Sequence, residues 1–269
     1  MTNLDDPCFI KHIFNIAVYL NMKMIPFYNQ IQFYCFLALF LFGFPNANAQ
    51  SPYELGGLKD GLLVGIPIGS LTFSRHLYRN IKPLTLEDLD QLKRTDVFAI
   101  DRGATYNHSV LARKTSDILL HTSYALPLTM LAGERSREDF GKGSLFMLET
   151  LVINSAITDL AKTIVKRSRP LVYNEFFETN LKLTKGARTS FFSGHTSTVA
   201  SMYFLTAKMY SDYYPDSKLK PVVWSSAFII PATTGLMRMK AGKHYFTDVL
   251  TGLLVGAAVG ILVPELHRL

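Results

Sequence analysis

Residues 247–263 read TDVLTGLLVGAAVGILV. An apolar stretch of this length, with no polar–apolar alternation, reads as a helix rather than a strand. Gly252, Gly256 and Gly260 recur at four-residue spacing. One face of that helix is nearly bare, so a neighbouring helix can approach closely. The stripe is a packing signal and implies no chemistry.

Working backward from this stretch, five more apolar segments alternate with polar connectors, at 61–78, 116–132, 144–165, 196–210 and 222–237. Strand-like alternation is scarce. The pattern predicts an all-α bundle of about six core helices. The connector 79–115 is long and polar. Thr85 followed by Asp88 resembles a capping box, a helix start inside it. Except for 144–165, the apolar segments run about 15–18 residues, under the roughly 20 a membrane span needs. Several also hold polar residues: His121, Glu149, Asn154 and Asp159.

Of 269 residues, 48% are hydrophobic and 18% charged, and the mean hydropathy is +0.16. That is too apolar for a disordered chain and poor in charge for a typical soluble enzyme. The 28 basic and 21 acidic residues leave a net charge of +7, which suits anionic partners such as phosphate esters or anionic lipid. Nucleic acid is not an expected partner, because the basic residues are scattered and no nucleic-acid motif accompanies them.

Residues 33–44 form a short apolar run, followed by Pro45 and by Ala47-Asn48-Ala49 ahead of Gln50. The small-x-small pattern reads as a signal-peptidase site, so residues 1–49 are predicted to be a leader and 50–269 the working domain. Asp5 and Asp6 do not belong in a basic leader start, which places the true start at Met22 or Met24. Retention of the run as an uncleaved anchor is the alternative. Both cysteines, Cys8 and Cys35, precede the cleavage point. The expected domain therefore has no disulfide, thiolate chemistry or cysteine–metal site. The leader points to export, to a periplasmic or membrane-associated location. Six full spans behind a cleaved leader would put the connector after the third helix in the cytoplasm. Either the leader stays, one segment does not span, or the bundle is peripheral.

Three motifs follow one another in the second half: Lys162-x6-Arg169-Pro170, Ser193-Gly194-His195-Thr196, and Arg238-x5-His244-x3-Asp248. A phosphate dianion needs several cations and donors converging on its oxygens. Lys162, Arg169 and Arg238 supply charge, Ser193 a hydroxyl, and Gly194 a bare backbone N–H. A helix starting at Thr196 would add its free N–H groups and dipole. Of the two histidines, one can attack phosphorus as neutral imidazole and the other can protonate the leaving oxygen. His244 and Asp248 lie four apart and share one face of a helix start. A carboxylate on one ring nitrogen fixes the tautomer, which makes His244 the nucleophile and His195 the acid. His76, His108 and His121 have no partner at metal-ligand spacing, and no metal is assigned.

These motifs resemble those of the type 2 phosphatidic acid phosphatase (PAP2) superfamily, which includes class A acid phosphatases and vanadium haloperoxidases. The family pattern is Lys-x6-Arg-Pro, Pro-Ser-Gly-His and Ser-Arg-x5-His-x3-Asp. The resemblance implies a cofactor-free, metal-independent phosphohydrolase on a helical core. In it His244 carries the phosphoryl group, Asp248 orients it, and His195 is the general acid. Lys162, Arg169, Ser193, Gly194 and Arg238 hold the phosphate. Phe192 stands where the family has proline and Met237 where it has serine. The first gives up a rigid turn and the second a hydroxyl, so a looser or differently shaped pocket is expected. The loop 172–189 carries Tyr173, Phe176 and Phe177 with Lys182, Lys185 and Arg188, a combination suited to an amphiphilic substrate. The expected substrate is a lipid phosphate or pyrophosphate: phosphatidate, phosphatidylglycerophosphate, undecaprenyl pyrophosphate or lipid A. A soluble periplasmic nonspecific acid phosphatase is the nearest rival, a vanadium haloperoxidase a more distant one, and a non-catalytic lipid-binding protein a third.

Overall fold

The computed structural model describes residues 51–269. The leader predicted over residues 1–49, with both cysteines, lies outside the described residues. Six long helices dominate: α1 (Gly57–Arg79), α2 (Val110–Ser123), α3 (Phe140–Val165), α4 (Gly194–Tyr213), α5 (Lys220–Lys240) and α6 (Phe246–Glu265). Short helices and 3-10 turns fill the connectors, and the described residues contain no strand, only the isolated bridge Tyr53–Arg268. The all-α bundle read from the sequence is the fold.

Polar caps set some of the boundaries: Ser193 caps α4 and Asp248 closes a capping box on α6. α2 starts six residues earlier than predicted, since Ser109 Oγ accepts from the Ala112 N–H at 3.2 Å. It also ends earlier. Pro127 lacks the N–H an α-helix needs, and Leu126–Ala132 runs as a 3-10 helix. Thr85 and Asp88 do form a capping box, in front of the short helix Leu86–Gln91. α3 has 26 residues and α6 has 20, or about 39 and 30 Å at 1.5 Å per residue. Both are long and apolar enough to cross a membrane, so the argument from short segments fails for α6.

α4 and α6 pack along the glycine stripe. A Cβ on Gly252 would lie 2.7 Å from the Ser193 carbonyl oxygen. Gly256 and Gly260 meet the carbonyls of Ser197 and Ser201 in the same way. Both series advance by four, so the two helices run parallel with backbones nearly touching. Asn154 ties α3 to the same helix. Its amide donates to Thr198 Oγ1 at 3.2 Å and its carbonyl oxygen accepts from Ser197. The core holds Phe146, Val199, Met202, Leu205, Ala227 and Val263, each at most 2% exposed. The outer faces are also apolar. Leu62, Ile66, Phe73, Ile118, Phe228 and Leu254 are each at least half exposed.

Candidate active site

The three motifs occupy neighbouring helix ends. Lys162 closes α3, Ser193 and His195 open α4, Arg238 closes α5, and His244 and Asp248 flank the start of α6. The structure therefore brings together every residue that the sequence reading selected.

His244 is 2% exposed. Its Nε2 lies 3.2 Å from Arg169 Nη1. A guanidinium only donates, so Nε2 carries the lone pair and Nδ1 the proton. Nδ1 faces Asp248 Oδ2 at 3.5 Å. Burial, then the Arg169 guanidinium beside it, hold the imidazole well below its usual range, against the pull of Asp248. The ring is neutral at physiological pH with Nε2 free to act as a nucleophile.

Asp248 has three further partners. Oδ2 accepts from Ser190 Oγ at 2.5 Å and from the Tyr245 N–H at 3.0 Å, and Oδ1 accepts from Arg167 Nη1 at 2.7 Å. The Tyr245 bond is also half of a capping box on α6, so one carboxylate starts the helix and faces the histidine. Arg167 continues to Asp101, Nη2 to Oδ2 at 2.7 Å. Asp101 also accepts from the Thr247 N–H and hydroxyl at 2.9 and 2.7 Å. The Arg167 guanidinium stacks 4.0 Å from the Tyr245 ring centroid. Asp101 is 1% exposed and stands behind Asp248, on the far side of Arg167.

Arg169 is fixed by backbone carbonyls. Nε donates to Gly186 at 2.8 Å, Nη1 to Lys243 at 3.1 Å and Nη2 to Thr189 at 3.2 Å. Gly194 lets Lys162 in: a Cβ there would stand 3.0 Å from Lys162 Nζ. Ser193 caps α4 through the Thr196 N–H and bonds Thr196 Oγ1 at 2.9 Å. Its own N–H donates to the Asp248 carbonyl at 3.0 Å. Phe192 is 2% exposed, so packing fixes the chain before Ser193 where the family uses proline.

On the opposite side stands Asp117, which the sequence reading passed over. Its Oδ1 accepts from His195 Nε2 at 2.9 Å and from Arg238 Nη1 at 3.3 Å. Burial, with Arg238 adding to it, pushes the His195 imidazole down to about 4, while the Asp117 carboxylate works the other way. Asp159, one turn before Lys162, is half-buried.

Two cations of the loop 172–189 have backbone partners. Lys185 Nζ and Arg188 Nη1 donate to the backbone of Arg79 and Lys82, so these two cations brace the end of α1. Phe177 does border the site. It packs edge-on to His108 at 4.6 Å and lies 5.5 Å below Lys243 Nζ. Gly242, at φ +65°, makes the turn that delivers Lys243 and His244. A Cβ there would meet the Asn107 carbonyl and the Phe177 ring.

Residues 143–268, carrying all three motifs, match the profile of the PAP2 superfamily. This segment belongs to the PAP2 superfamily. Among similar proteins, phospholipid phosphatase 1 of Rattus norvegicus is 30% identical over 135 residues, covering 41% of this chain and 46% of the relative. Phosphatidylglycerophosphatase B of Bacillus subtilis is 29% identical over 152 residues, covering 53% and 67%. Lipid A 4′-phosphatase of Porphyromonas gingivalis is 24% identical over 123 residues, covering 45% and 49%. The chain thus spans about half the length of most of the curated relatives it matches. A crystal structure of a transmembrane PAP2-type phosphatidylglycerolphosphate phosphatase from Bacillus subtilis overlays with TM-score 0.48 at 23% identity, covering 74% of this chain and 94% of that one. Within this PAP2 segment lie Lys162, Arg169, Ser193, Gly194, His195, Arg238, His244 and Asp248. Asp101 and Asp117 lie before it.

Proposed function

We propose that the chain is a membrane-associated lipid-phosphate phosphohydrolase that works through a phosphohistidine at His244. One observation carries the reading. The lone pair of a buried neutral imidazole lies beside a guanidinium that can neutralise the charge on an attacked phosphate. In the proposed sequence Lys162, Arg169, Arg238 and the α4 N-terminus with Ser193 and Gly194 hold the phosphate oxygens. His244 Nε2 forms the bond to phosphorus as the ester P–O bond breaks. The bound phosphate dianion offsets the burial that lowers the free ring, so His195 is protonated in the complex and gives that proton to the departing alkoxide, which leaves as the alcohol. The imidazolium Nδ1–H faces the Asp248 carboxylate, which stabilises the positive ring. His195, now neutral, takes a proton from water. The hydroxide oxygen attacks phosphorus, the P–N bond breaks to Nε2, and inorganic phosphate leaves. Asp117 positions His195 and favours its protonated form.

The lipid side of the reading rests on the apolar outer faces of the bundle and on the lengths of α3 and α6. Exposed apolar surface on this scale suits hydrocarbon. Phosphatases acting on phospholipids and on lipid A are among the relatives by name, which supports the same substrate class. The predicted leader (1–49) places the pocket of the domain (50–269) on the exported, periplasmic side.

The test is phosphate release by the purified chain from short-chain phosphatidate and from a small soluble aryl phosphate, with and without EDTA. His244→Ala is the blank. The expected result is EDTA-resistant release, faster from the lipid and absent from the variant. Equal release from both esters would favour a soluble-type acid phosphatase. Halide oxidation by peroxide with added vanadate, without phosphate release, would replace the reading with a haloperoxidase.

A further inference from the structure

Three side chains that the phosphate site does not use meet at the other end of the bundle. Asp60 stands in the first turn of α1, Glu149 in the N-terminal half of α3, and His267 just past the end of α6. Glu149 lies about 20 Å along α3 from Lys162. Glu149 and His267 are at most 1% exposed, and the Asp60 side chain is 13% exposed. One oxygen or nitrogen from each lies within 4.8 Å of the other two.

His267 sets the chemistry. Its Nδ1 is 2.8 Å from the Val263 carbonyl oxygen, which only accepts, so the proton sits on Nδ1. In the neutral ring Nε2 then presents a lone pair. That atom lies 3.1 Å from Asp60 Oδ1 and 3.5 Å from Glu149 Oε2. A lone pair facing two ionised carboxylates is repulsive unless a proton or a cation sits among them. Glu149 gives the second, separate sign. It is fully buried, yet neither of its carboxylate oxygens accepts a hydrogen bond. A buried carboxylate left without partners is strongly disfavoured.

We propose that Asp60, Glu149 and His267 bind a divalent transition-type cation, Zn²⁺ or Mn²⁺, which clamps α1 and the end of α6 to α3. Two carboxylate oxygens with one imidazole nitrogen suit these ions, whereas Mg²⁺ and Ca²⁺ prefer all-oxygen sets. A divalent ion balances the two carboxylates, as an apolar interior requires. An Nδ1–H held by a backbone carbonyl is the usual way a ligating imidazole is oriented. The same end of the bundle is already knitted by backbone: the Glu54 N–H donates to the His267 carbonyl at 2.8 Å and the Leu269 N–H to that of Pro52 at 3.1 Å. The ion has a structural role and takes no part in the hydrolysis. The site is therefore independent of the reading of His244.

The test uses the untagged full chain, purified in detergent without chelator or added metal. Elemental analysis is expected to find close to one Zn or Mn per chain. EDTA is expected to lower Tm, and ZnCl₂ or MnCl₂ alone to restore it. Glu149→Gln and His267→Asn are expected to keep the helical circular dichroism, lose the metal, and bind Zn²⁺ at least roughly tenfold more weakly. A wild-type chain without bound metal, whose Tm neither Zn²⁺ nor Mn²⁺ moves, would overturn the proposal in favour of a proton shared among the imidazole and the carboxylates. Full metal retention in Glu149→Gln would overturn it as well.

Discussion

Arg167→Met tests the support behind Asp248. Arg167 bridges two carboxylates, Asp101 and Asp248, each through a 2.7 Å bond. The carboxylates are 1% and 0% exposed, while the Arg167 side chain keeps 25% of its surface in contact with solvent. Removing one partner of a fully buried ion pair costs about 3–5 kcal/mol, because the remaining charge is left uncompensated. Two features act in opposite directions. The residual exposure of Arg167 lets water replace part of the interaction. The stack on Tyr245 adds a cation–π contribution that is also lost. Asp101 keeps its two bonds from Thr247, and Asp248 keeps those from Ser190 and Tyr245. About 3 kcal/mol is the expected loss. For a chain of this size that is roughly 6–12 °C in Tm, at about 2–4 °C per kcal/mol. Adding Asp101→Asn removes one orphaned charge, so the double variant is expected to recover about 1 kcal/mol relative to Arg167→Met. The assay is thermal unfolding in detergent by circular dichroism, with phosphate release measured alongside. A Tm within about 1 °C of wild type for Arg167→Met would refute the reasoning, since about 3 kcal/mol is expected to shift it several-fold more.

Three further outcomes are expected. His195 is held at about 4 when folded against an ordinary value of 6.5, so between those values the unfolded chain binds the extra proton; stability falls as pH drops from 6.5 towards 4, and His195→Asn should flatten that part of the Tm–pH curve. Asp117→Asn removes the carboxylate that favours protonated His195, and kcat should fall with the alkaline limb of its pH profile moved downward; an unchanged profile would show that Asp117 has no part in proton transfer. Gly256→Ala places a Cβ against the Ser197 carbonyl and 2.8 Å from the Ala200 Cβ; overpacking of about 1–3 kcal/mol outweighs the gain of up to about 1 kcal/mol in helix propensity, and Tm should drop.

The helices and the convergence of the three motifs were legible in the sequence for a physical reason. Each motif sits at a helix end, where local spacing determines geometry: Ser193 caps the helix it precedes, and Asp248 is one turn beyond His244. Pro127 and the Ser109 cap moved the boundaries of α2. The support of the site was not legible. Arg167 and Ser190 meet Asp248, and Asp101 meets Arg167, only through the fold, and Asp117 reaches His195 from another helix. No local spacing encodes such pairs. The partners of Lys185 and Arg188 were not legible for the same reason, because where a long side chain ends depends on which distant carbonyls are near. Asp60 and His267 lie 207 residues apart, and Glu149 looked like an ordinary polar residue on an apolar helix.

The central claim is a covalent phosphoryl group on His244. Rapid acid-free quenching of the wild-type chain turning over a ³²P-labelled lipid phosphate, followed by peptide mapping, tests it most directly. The account expects label that is stable to base and labile to acid, carried on the peptide containing His244 and absent from His244→Ala. Turnover with no labelled protein at any quench time, or label that persists in His244→Ala, would contradict it.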